Sequence, residues 1–330
     1  MDMKKSIILQ IVISIAIIAL VLYASDFEKV LSKISTLNPA YMLLAVLFYI
    51  ILNLFMAYTI KLILKELKRD VKISEALPAS LSGMLASDFT PARSGYLATA
   101  FVLSSDEKIP LHKAMVSILG PQIFQFSLKI IVGAIAFWYL ITYVASSEDG
   151  SELRFASMLI GVFILFSMVL FIIFLLFSKN FVKKISFIKI FPYGKEVHSM
   201  LLEMQKSSKA IKNLTPQITL ILLITWLLKT YEWLFVAKSL SIYLNTQIPD
   251  VVFFAFLQPL ITILQFIPTP TLAGMGLSEG GAAVVLSLFG VPYYEGVAFA
   301  LLTRAMNAFV DLAGIQGVLK VLRKHLYRFD

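Results

Sequence analysis

Long apolar runs separated by short charged loops dominate the pattern of this chain. Five or six of them approach or exceed the roughly 20 apolar residues that a helix needs to cross a bilayer. Of the 330 residues, 59% are hydrophobic and only 15% are charged, whereas soluble domains carry about 25% charged residues. We therefore expect an all-α polytopic membrane protein, forming a single integral membrane domain over residues 1–330. The predicted spans are 6–24, 39–63, 113–146, 153–178, 215–243 and 293–321.

Two further apolar segments, 74–105 and 249–290, are interrupted by proline and glycine. The first contains Thr-Pro-Ala-Arg-Ser-Gly at residues 90–95, and the second contains Thr-Pro-Thr-Leu-Ala-Gly at residues 269–274. Proline removes a backbone donor, and glycine permits the chain to reverse. Irregular backbone survives at membrane depth only when it is buried in protein or lines a wet cavity. Both segments are therefore predicted to be re-entrant hairpins made of a broken helix.

The order of elements repeats along the chain, which predicts two related halves, 1–146 and 153–322. Each half contains two spans, an interrupted segment, a short turn with Ile-Pro or Val-Pro, and a third span. Three crossings per half place the second half upside down relative to the first. Such an inverted repeat is typical of transporters whose binding site lies at mid-membrane, between the broken helices.

Basic residues in the loops indicate the orientation. Residues 65–72, the loop 179–212 and the tail after residue 321 are rich in lysine and arginine. All of them lie inside if the N-terminus is cytoplasmic and each interrupted segment returns to its starting side, as the positive-inside rule requires. We expect a cell-membrane protein with both termini in the cytoplasm. The basic loop 180–212 either lies on the anionic inner leaflet or is a solvated connector.

Polar residues follow helical spacing inside two predicted spans. Arg304, Asn307 and Asp311 lie three and four residues apart, which places them on one face of the last span. The third span carries Gln122, Gln125 and Lys129 at matching distances from its own proline turn. Ionisable groups inside membranes are costly and usually functional. Asp311 has a structural alternative, in which it only neutralises Lys129 or Arg304.

The two hairpins add further candidates. Arg93 lies in the first, Glu279 lies in the second, and Gly95 and Gly276 allow the backbone to approach a ligand closely. Half-helix N-termini and arginine side chains both favour a phosphate group. A pair such as Lys229 and Glu232, three residues apart, is better explained as an internal salt bridge. The predicted substrate-binding residues are Arg93, Gly95, Gln122, Gln125, Lys129, Gly276, Glu279, Arg304, Asn307 and Asp311.

At these positions the chain resembles the transmembrane domain of the lysyl-phosphatidylglycerol synthase and flippase family. The resemblance is carried by Pro-x-Arg-x-Gly at 91–95, by the proline- and glycine-rich run 270–279 that ends in Gly-x-x-Glu, by Gly-Val-Pro at 290–292 and by Arg304. After the first hairpin the family commonly has a Glu-Arg and Asp element, and this chain differs there. The resemblance implies lipid flipping or support of a lipid-linked glycosylation pathway. Synthase activity, which needs a soluble aminoacyl-transfer domain, is not expected.

Other chemistries lack the residues that they need. The string Gly-x-Ser-x-Gly at 276–280 has no histidine at membrane depth to activate its serine. The chain has no cysteine and only three scattered histidines, so we expect no metal, no cofactor and no enzyme activity. The expected partners are membrane lipids, namely a phospholipid or a polyprenyl phosphate, and no nucleic acid. The alternative is a membrane-embedded transferase, or an accessory subunit of a separate synthase or glycosyltransferase.

Overall fold

The computed structural model describes residues 3–105, 109–145, 170, 178, 194–266 and 271–326. Within them all regular secondary structure is helical, which confirms the predicted all-α class. The α-helices are α1 Met3–Ala24, α2 Phe27–Ser35, α3 Pro39–Glu66, α4 Ile73–Asp88, α5 Ala98–Ser104, α6 Leu111–Ala145, α7 Gly194–Ser207, α8 Lys209–Asn213, α9 Thr215–Ser239, α10 Asp250–Phe266, α11 Leu277–Ser287, α12 Tyr293–Asp311 and α13 Ile315–Leu326. Short 3₁₀ turns occupy Pro91–Leu97, Leu272–Gly274 and Leu312–Gly314.

Four helical segments in the described chain are long and apolar enough to cross a membrane: Pro39–Glu66, Leu111–Gly133, Thr215–Ser239 and Tyr293–Val321. They coincide with four of the predicted spans and confirm a multi-pass membrane protein. A fifth span exists if Gln10–Ala24 and Phe27–Ser35, which meet at an angle of 84°, count as one. The predicted span 153–178 lies outside the described residues, apart from Leu170 and Ser178. The total of six spans and the inverted repeat stay predictions.

Both interrupted segments have a helix on each side of a break. The first hairpin is α4, the turn Pro91–Leu97 and α5; the second is α10, the turn Leu272–Gly274 and α11. The breaks touch each other, because Ala273 N donates a hydrogen bond to Thr90 O at 3.1 Å. Residues 267–270 lie outside the described part of the chain. That the hairpins enter and leave the membrane on one side remains a prediction.

The prolines at the middle of these helices do not end them. Helix α4 runs through Pro78, and α10 runs through Pro259. A proline inside a helix removes the donor for the carbonyl four residues earlier. For Pro259 that carbonyl belongs to Ala255, and the indole Nε1 of Trp226 on α9 donates to it at 3.2 Å. Within the described residues of the two hairpins, the interruptions are therefore at the turns Pro91–Leu97 and Leu272–Gly274.

Two hydrophobic cores lie on either side of the hairpin breaks. One packs α4, α5 and α6 against parts of α3 and α9, with Ile60 and Ile118 fully buried. The other packs α10, α11 and α12 against the remaining parts of α3 and α9, with Phe254 and Phe299 fully buried. Since α3 and α9 belong to both cores, they form the shared wall between them.

Small residues bring the two halves into close contact near the end of α12. Ser82 Oγ, on α4, donates to the carbonyl oxygen of Gly314 at 2.6 Å. A Cβ atom on Gly314 would lie 2.2 Å from the backbone nitrogen of Ser82. Close approach of backbones at small residues is a common way for membrane helices to pack, because apolar surface alone drives little association in lipid.

Candidate functional site

A cavity of about 430 Å³ lies where the two hairpins meet the helices α3, α6, α9 and α12. Its volume falls within the range of small-molecule sites, which is about 300–1,000 Å³. Seven of the ten predicted site residues line it: Arg93, Gln122, Gln125, Lys129, Glu279, Arg304 and Asn307. The other three, Gly95, Gly276 and Asp311, do not reach the wall and have supporting positions.

Arg304 projects from α12 onto the second hairpin. Its Nε atom lies 2.6 Å from Oε1 of Glu279, and its Nη2 atom donates to Ser278 Oγ at 3.0 Å and to Ala273 O at 3.3 Å. The Nη1 atom is buried and has no hydrogen-bond partner among the described residues. Leaving a buried donor unpaired is costly. This arginine therefore has one donor group available for a further acceptor.

The carboxylate of Glu279 is placed by the start of α11. Gly276 has a φ of 84° and precedes the helix, and its backbone N–H donates to Glu279 Oε2 at 2.6 Å. Ser278 Oγ donates to the same oxygen at 3.1 Å. A carboxylate at a helix N-terminus is favoured by the helix dipole. We expected this N-terminus to face a ligand, but the chain's own carboxylate already occupies it.

Arg93 lies at the break of the first hairpin, with a φ of 54°. Its Nη2 atom forms an ion pair with Asp88 Oδ1 at 3.0 Å, and its Nη1 atom donates to Gln265 Oε1 at 2.8 Å. Ser87 Oγ accepts two longer contacts at 3.3 Å. Positive φ is uncommon outside glycine and persists where surrounding contacts hold it. The Gln265 contact crosses from the first hairpin to the second.

Gly95 has a packing role rather than a place in the cavity wall. Its N–H donates to Thr90 Oγ1 at 2.6 Å, which closes the turn after the break. A Cβ atom here would lie 2.3 Å from the carbonyl oxygen of Ala86. Glycine is required because the turn packs directly against the last part of α4.

Helix α6 contributes a polar stripe to the cavity. Gln122, Gln125 and Lys129 all line it, and the side chains of Gln122 and Lys129 are buried. The helix continues through Pro121, so the stripe keeps its helical spacing. The lining as a whole includes four cationic side chains, Arg93, Lys129, Lys229 and Arg304, and two carboxylates, Asp88 and Glu279.

A buried polar network lies beside this cavity. Lys229 Nζ is 2.7 Å from Glu232 Oε1, which confirms the predicted salt bridge within α9. With the Asn307 amide oriented to satisfy both neighbours, its oxygen accepts from Lys229 at 2.9 Å and its nitrogen donates to Glu232 at 3.0 Å. Lys229 Nζ also lies 4.7 Å from the centre of the Tyr49 ring, a cation–π distance.

For Asp311 the structural alternative was neutralisation of Lys129 or Arg304, and Arg304 pairs with Glu279 instead. The two carboxylate oxygens of Asp311 accept from the hydroxyl of Tyr49 on α3, at 3.1 Å and 2.9 Å. Arg304 lies two turns earlier on α12 and turns toward α11 instead. The three polar residues of α12 do share a face, but each meets a different element.

The cavity also contains polar residues that the sequence analysis missed. Gln258, Thr262 and Gln265 line it from α10. Gln258 Nε2 donates to Thr262 Oγ1 at 2.9 Å, which joins two of them. Their spacing of four and three residues is the same signal that singled out α12, and it could have identified them. Tyr49 gave no such signal, because a single tyrosine in an apolar span is usually a packing residue.

Residues 7–314 match the family described as the lysylphosphatidylglycerol synthase transmembrane region. The chain belongs to this family. The match covers every described element from α1 to α12 and includes both hairpin breaks. It confirms the resemblance drawn from the motifs, and it is consistent with a lipid-related function in the membrane. A comparison with curated proteins finds no match.

Proposed function

We propose that this protein binds a lipid with an anionic, phosphate-bearing head group in the cavity between the hairpins and moves it between the leaflets. The observation that carries the proposal is the placement of Arg304 and Arg93 in one cavity, one beside each hairpin break. Membership of the lysylphosphatidylglycerol synthase transmembrane region family supports a lipid as the ligand.

The chemistry of the cavity wall suits a phosphate group. Guanidinium groups bind phosphate oxygens in pairs, and glutamine amides add neutral donors. Four cationic side chains and two carboxylates line the wall, and a third carboxylate, Glu232, is paired with Lys229 beside it. The unpaired Nη1 atom of Arg304 is a donor that a phosphate oxygen satisfies. In the absence of lipid, Glu279 and Asp88 keep the two arginines neutralised.

The rest of the wall suits the apolar part of a lipid. Large apolar side chains such as Leu52, Met56, Met84 and Leu128 alternate with the polar groups around the cavity. On the outer surface, spans expose large apolar side chains, including Leu43 and Phe309. A soluble anion needs no apolar wall, whereas a lipid places its head group among charges and its glycerol and acyl chains among apolar side chains.

The direct test removes the Arg304–Glu279 pair as a unit. Changing Arg304 alone strands a buried carboxylate, so a loss of transport is then confounded with a loss of stability. The double variant Arg304→Gln/Glu279→Gln removes both charges and is expected to keep its stability. It should lose movement of fluorescent phosphatidylglycerol in phosphatidylcholine liposomes down to the rate of protein-free vesicles. The single variant Arg304→Lys keeps the positive charge but loses the planar guanidinium group with its paired donors. It should weaken lipid binding about tenfold, near 1.4 kcal/mol.

The matched control removes another ion pair that involves α12. Lys33 Nζ, on α2, lies 2.9 Å from Glu295 Oε1 at the start of α12, and neither residue lines the cavity. The variant Lys33→Gln/Glu295→Gln should move lipid at the wild-type rate. Normal transport by Arg304→Gln/Glu279→Gln would make the pair structural and remove the proposed site. Wild-type protein that binds the probe lipid without moving it would favour an accessory role beside a synthase or transferase.

A further inference from the structure

Asp311 is a carboxylate that lies buried between α12 and Tyr49 of α3. Its side chain is fully buried, and it forms no ion pair in the part of the chain that the structure describes. Among the described residues it is hydrogen-bonded by the Tyr49 hydroxyl, which contacts both of its oxygens. Burying an ionised carboxylate without a paired charge is very costly. Some positive charge or a proton has to compensate it.

Lys229, Arg304 and Arg93 each already have another carboxylate as a partner. Lys229 on α9 is held by Glu232, and Arg304 on its own helix is held by Glu279. Arg93, at the first break, is held by Asp88. The network of Lys229, Glu232 and Asp311 contains one cation and two carboxylates. One further proton balances it.

The geometry at Tyr49 agrees with a proton on Asp311. A tyrosine hydroxyl has one proton to donate and an oxygen that accepts. It can therefore donate to one carboxylate oxygen at a time, although both oxygens lie within hydrogen-bond distance. When Asp311 carries a proton, the second short contact becomes a hydrogen bond in the opposite direction. Both contacts are then satisfied.

We propose that Asp311 binds a proton that is taken up and released with the lipid, so that the lipid and the proton move together. This inference rests on the proposed function and names its energy source. A phosphate in the cavity adds negative charge to a wall that includes Tyr49, the hydrogen-bond partner of Asp311, and this favours the protonated carboxyl group. By linkage, a proton on Asp311 strengthens lipid binding by the same factor.

Tyr49 and Lys229 provide the route and the counter-charge. Both contribute to the cavity wall. When the lipid leaves, the proton passes from the Asp311 carboxyl group through the Tyr49 oxygen to water in the cavity. The carboxylate that remains then shares the positive charge of Lys229 with Glu232, since the Lys229 ammonium lies over the Tyr49 ring. In this relay the Asp311 O–H bond breaks, Tyr49 gains that proton while it gives its own hydroxyl proton to water, and the water carries the charge away as hydronium.

The first test detects the proton without any lipid. Infrared difference spectra of the purified protein, taken between mildly acidic and alkaline buffer, should show the carbonyl stretch of a protonated carboxylic acid. That band should be absent from Asp311→Asn and retained in the exposed control Asp26→Asn. A spectrum of Asp311→Asn that still contains the whole band would overturn the assignment.

Stability gives a second readout that does not depend on transport. Asparagine resembles the protonated carboxyl group in shape and charge, so Asp311→Asn should keep the wild-type melting temperature. If Asp311 is ionised in the folded protein, the same variant removes a charge from the network and its melting temperature falls. A clear fall would contradict the proposal.

Coupling is measured in liposomes that carry a pH gradient. With one proton per lipid, a gradient of one pH unit should shift the distribution of fluorescent phosphatidylglycerol between leaflets by about tenfold. In Asp311→Asn the gradient should have no effect on the distribution. An infrared band without lipid movement in the wild type would refute the proposed function and retain the proton site. Lipid movement that ignores the gradient in the wild type would refute the coupling alone.

Discussion

Each hairpin has an arginine–carboxylate ion pair beside its break, but the two pairs are built from different elements. In the first, the arginine and its carboxylate belong to one hairpin: Arg93 pairs with Asp88, five residues earlier. In the second, the hairpin supplies only the carboxylate, Glu279, and the arginine comes from α12. The first pair is therefore local, whereas the second joins a hairpin to a membrane span.

The two arginines therefore have different structural roles. Arg93 shapes its own break, where it has positive φ, and contacts the second hairpin only through Gln265. Arg304 fixes α11 against α12, and the buried carboxylate of Glu279 depends on it. The second hairpin should therefore be the one that responds to a ligand. A phosphate that competes for Arg304 weakens the tether between α11 and α12.

The sharpest distinction between the hairpins is the side from which each one enters the membrane. The chain has no cysteine, so single cysteines can be labelled without a background. Position 69 precedes the first hairpin and position 247 precedes the second, and both side chains are exposed. In intact cells, a membrane-impermeant reagent should label Gln247→Cys fully and Arg69→Cys only after permeabilisation. Labelling of both from outside would refute the inverted repeat.

A second prediction compares the two ion pairs by stability. Glu279→Gln leaves Arg304 as a buried charge without its counter-ion, and should destabilise the protein by about 3–5 kcal/mol. Asp88→Asn should cost only about 1 kcal/mol, since Arg93 keeps Gln265 and Ser87 as acceptors. Denaturant unfolding in detergent measures both. Equal losses in the free energy of unfolding would show that the Arg304–Glu279 pair holds the structure together no more than the Arg93–Asp88 pair does.

The glycines at the two breaks should give smaller losses for different reasons. Gly95→Ala forces a Cβ atom against Ala86, and Gly276→Ala combines a φ of 84° with a Cβ position 2.2 Å from Ile17. Each should cost roughly 1–3 kcal/mol. Gly280 lies inside α11, and its nearest neighbours would be 3.7 Å from a new Cβ atom. Gly280→Ala should therefore be neutral or slightly stabilising, and a loss there equal to the others would contradict this packing.

The apolar pattern predicted the four described long spans because a span needs little more than length and hydrophobicity. The breaks were predictable too, since proline and glycine at residues 90–95 and 269–274 act on the local backbone. Helical spacing brought the residues of α6 and α12 to the cavity. Spacing says which residues share a face, and it accounts for five of the seven predicted residues that line the cavity; Arg93 and Glu279 came from the hairpin motifs.

Partners across the fold were not predictable in the same way. Asp311 and Arg304 share a helix face, but they contact different elements. Because of the way the helices pack, Asp311 accepts a hydrogen bond from Tyr49 on α3, and Arg304 pairs with Glu279 on α11. Such contacts depend on how helices cross, which a single sequence does not encode in its periodicity. The glycines Gly95 and Gly276 were assigned to ligand approach for the same reason, and they instead permit packing against Ala86 and Ile17.

The most direct measurement of the central claim is a cryo-electron microscopy map of the full chain in nanodiscs that contain phosphatidylglycerol. The account predicts density for a phosphate group between the hairpin breaks, within hydrogen-bond distance of Arg304, with elongated density leading into the bilayer. Phosphate density anywhere else on the protein, with the cavity empty and the Arg304–Glu279 pair intact in the presence of excess lipid, would contradict it.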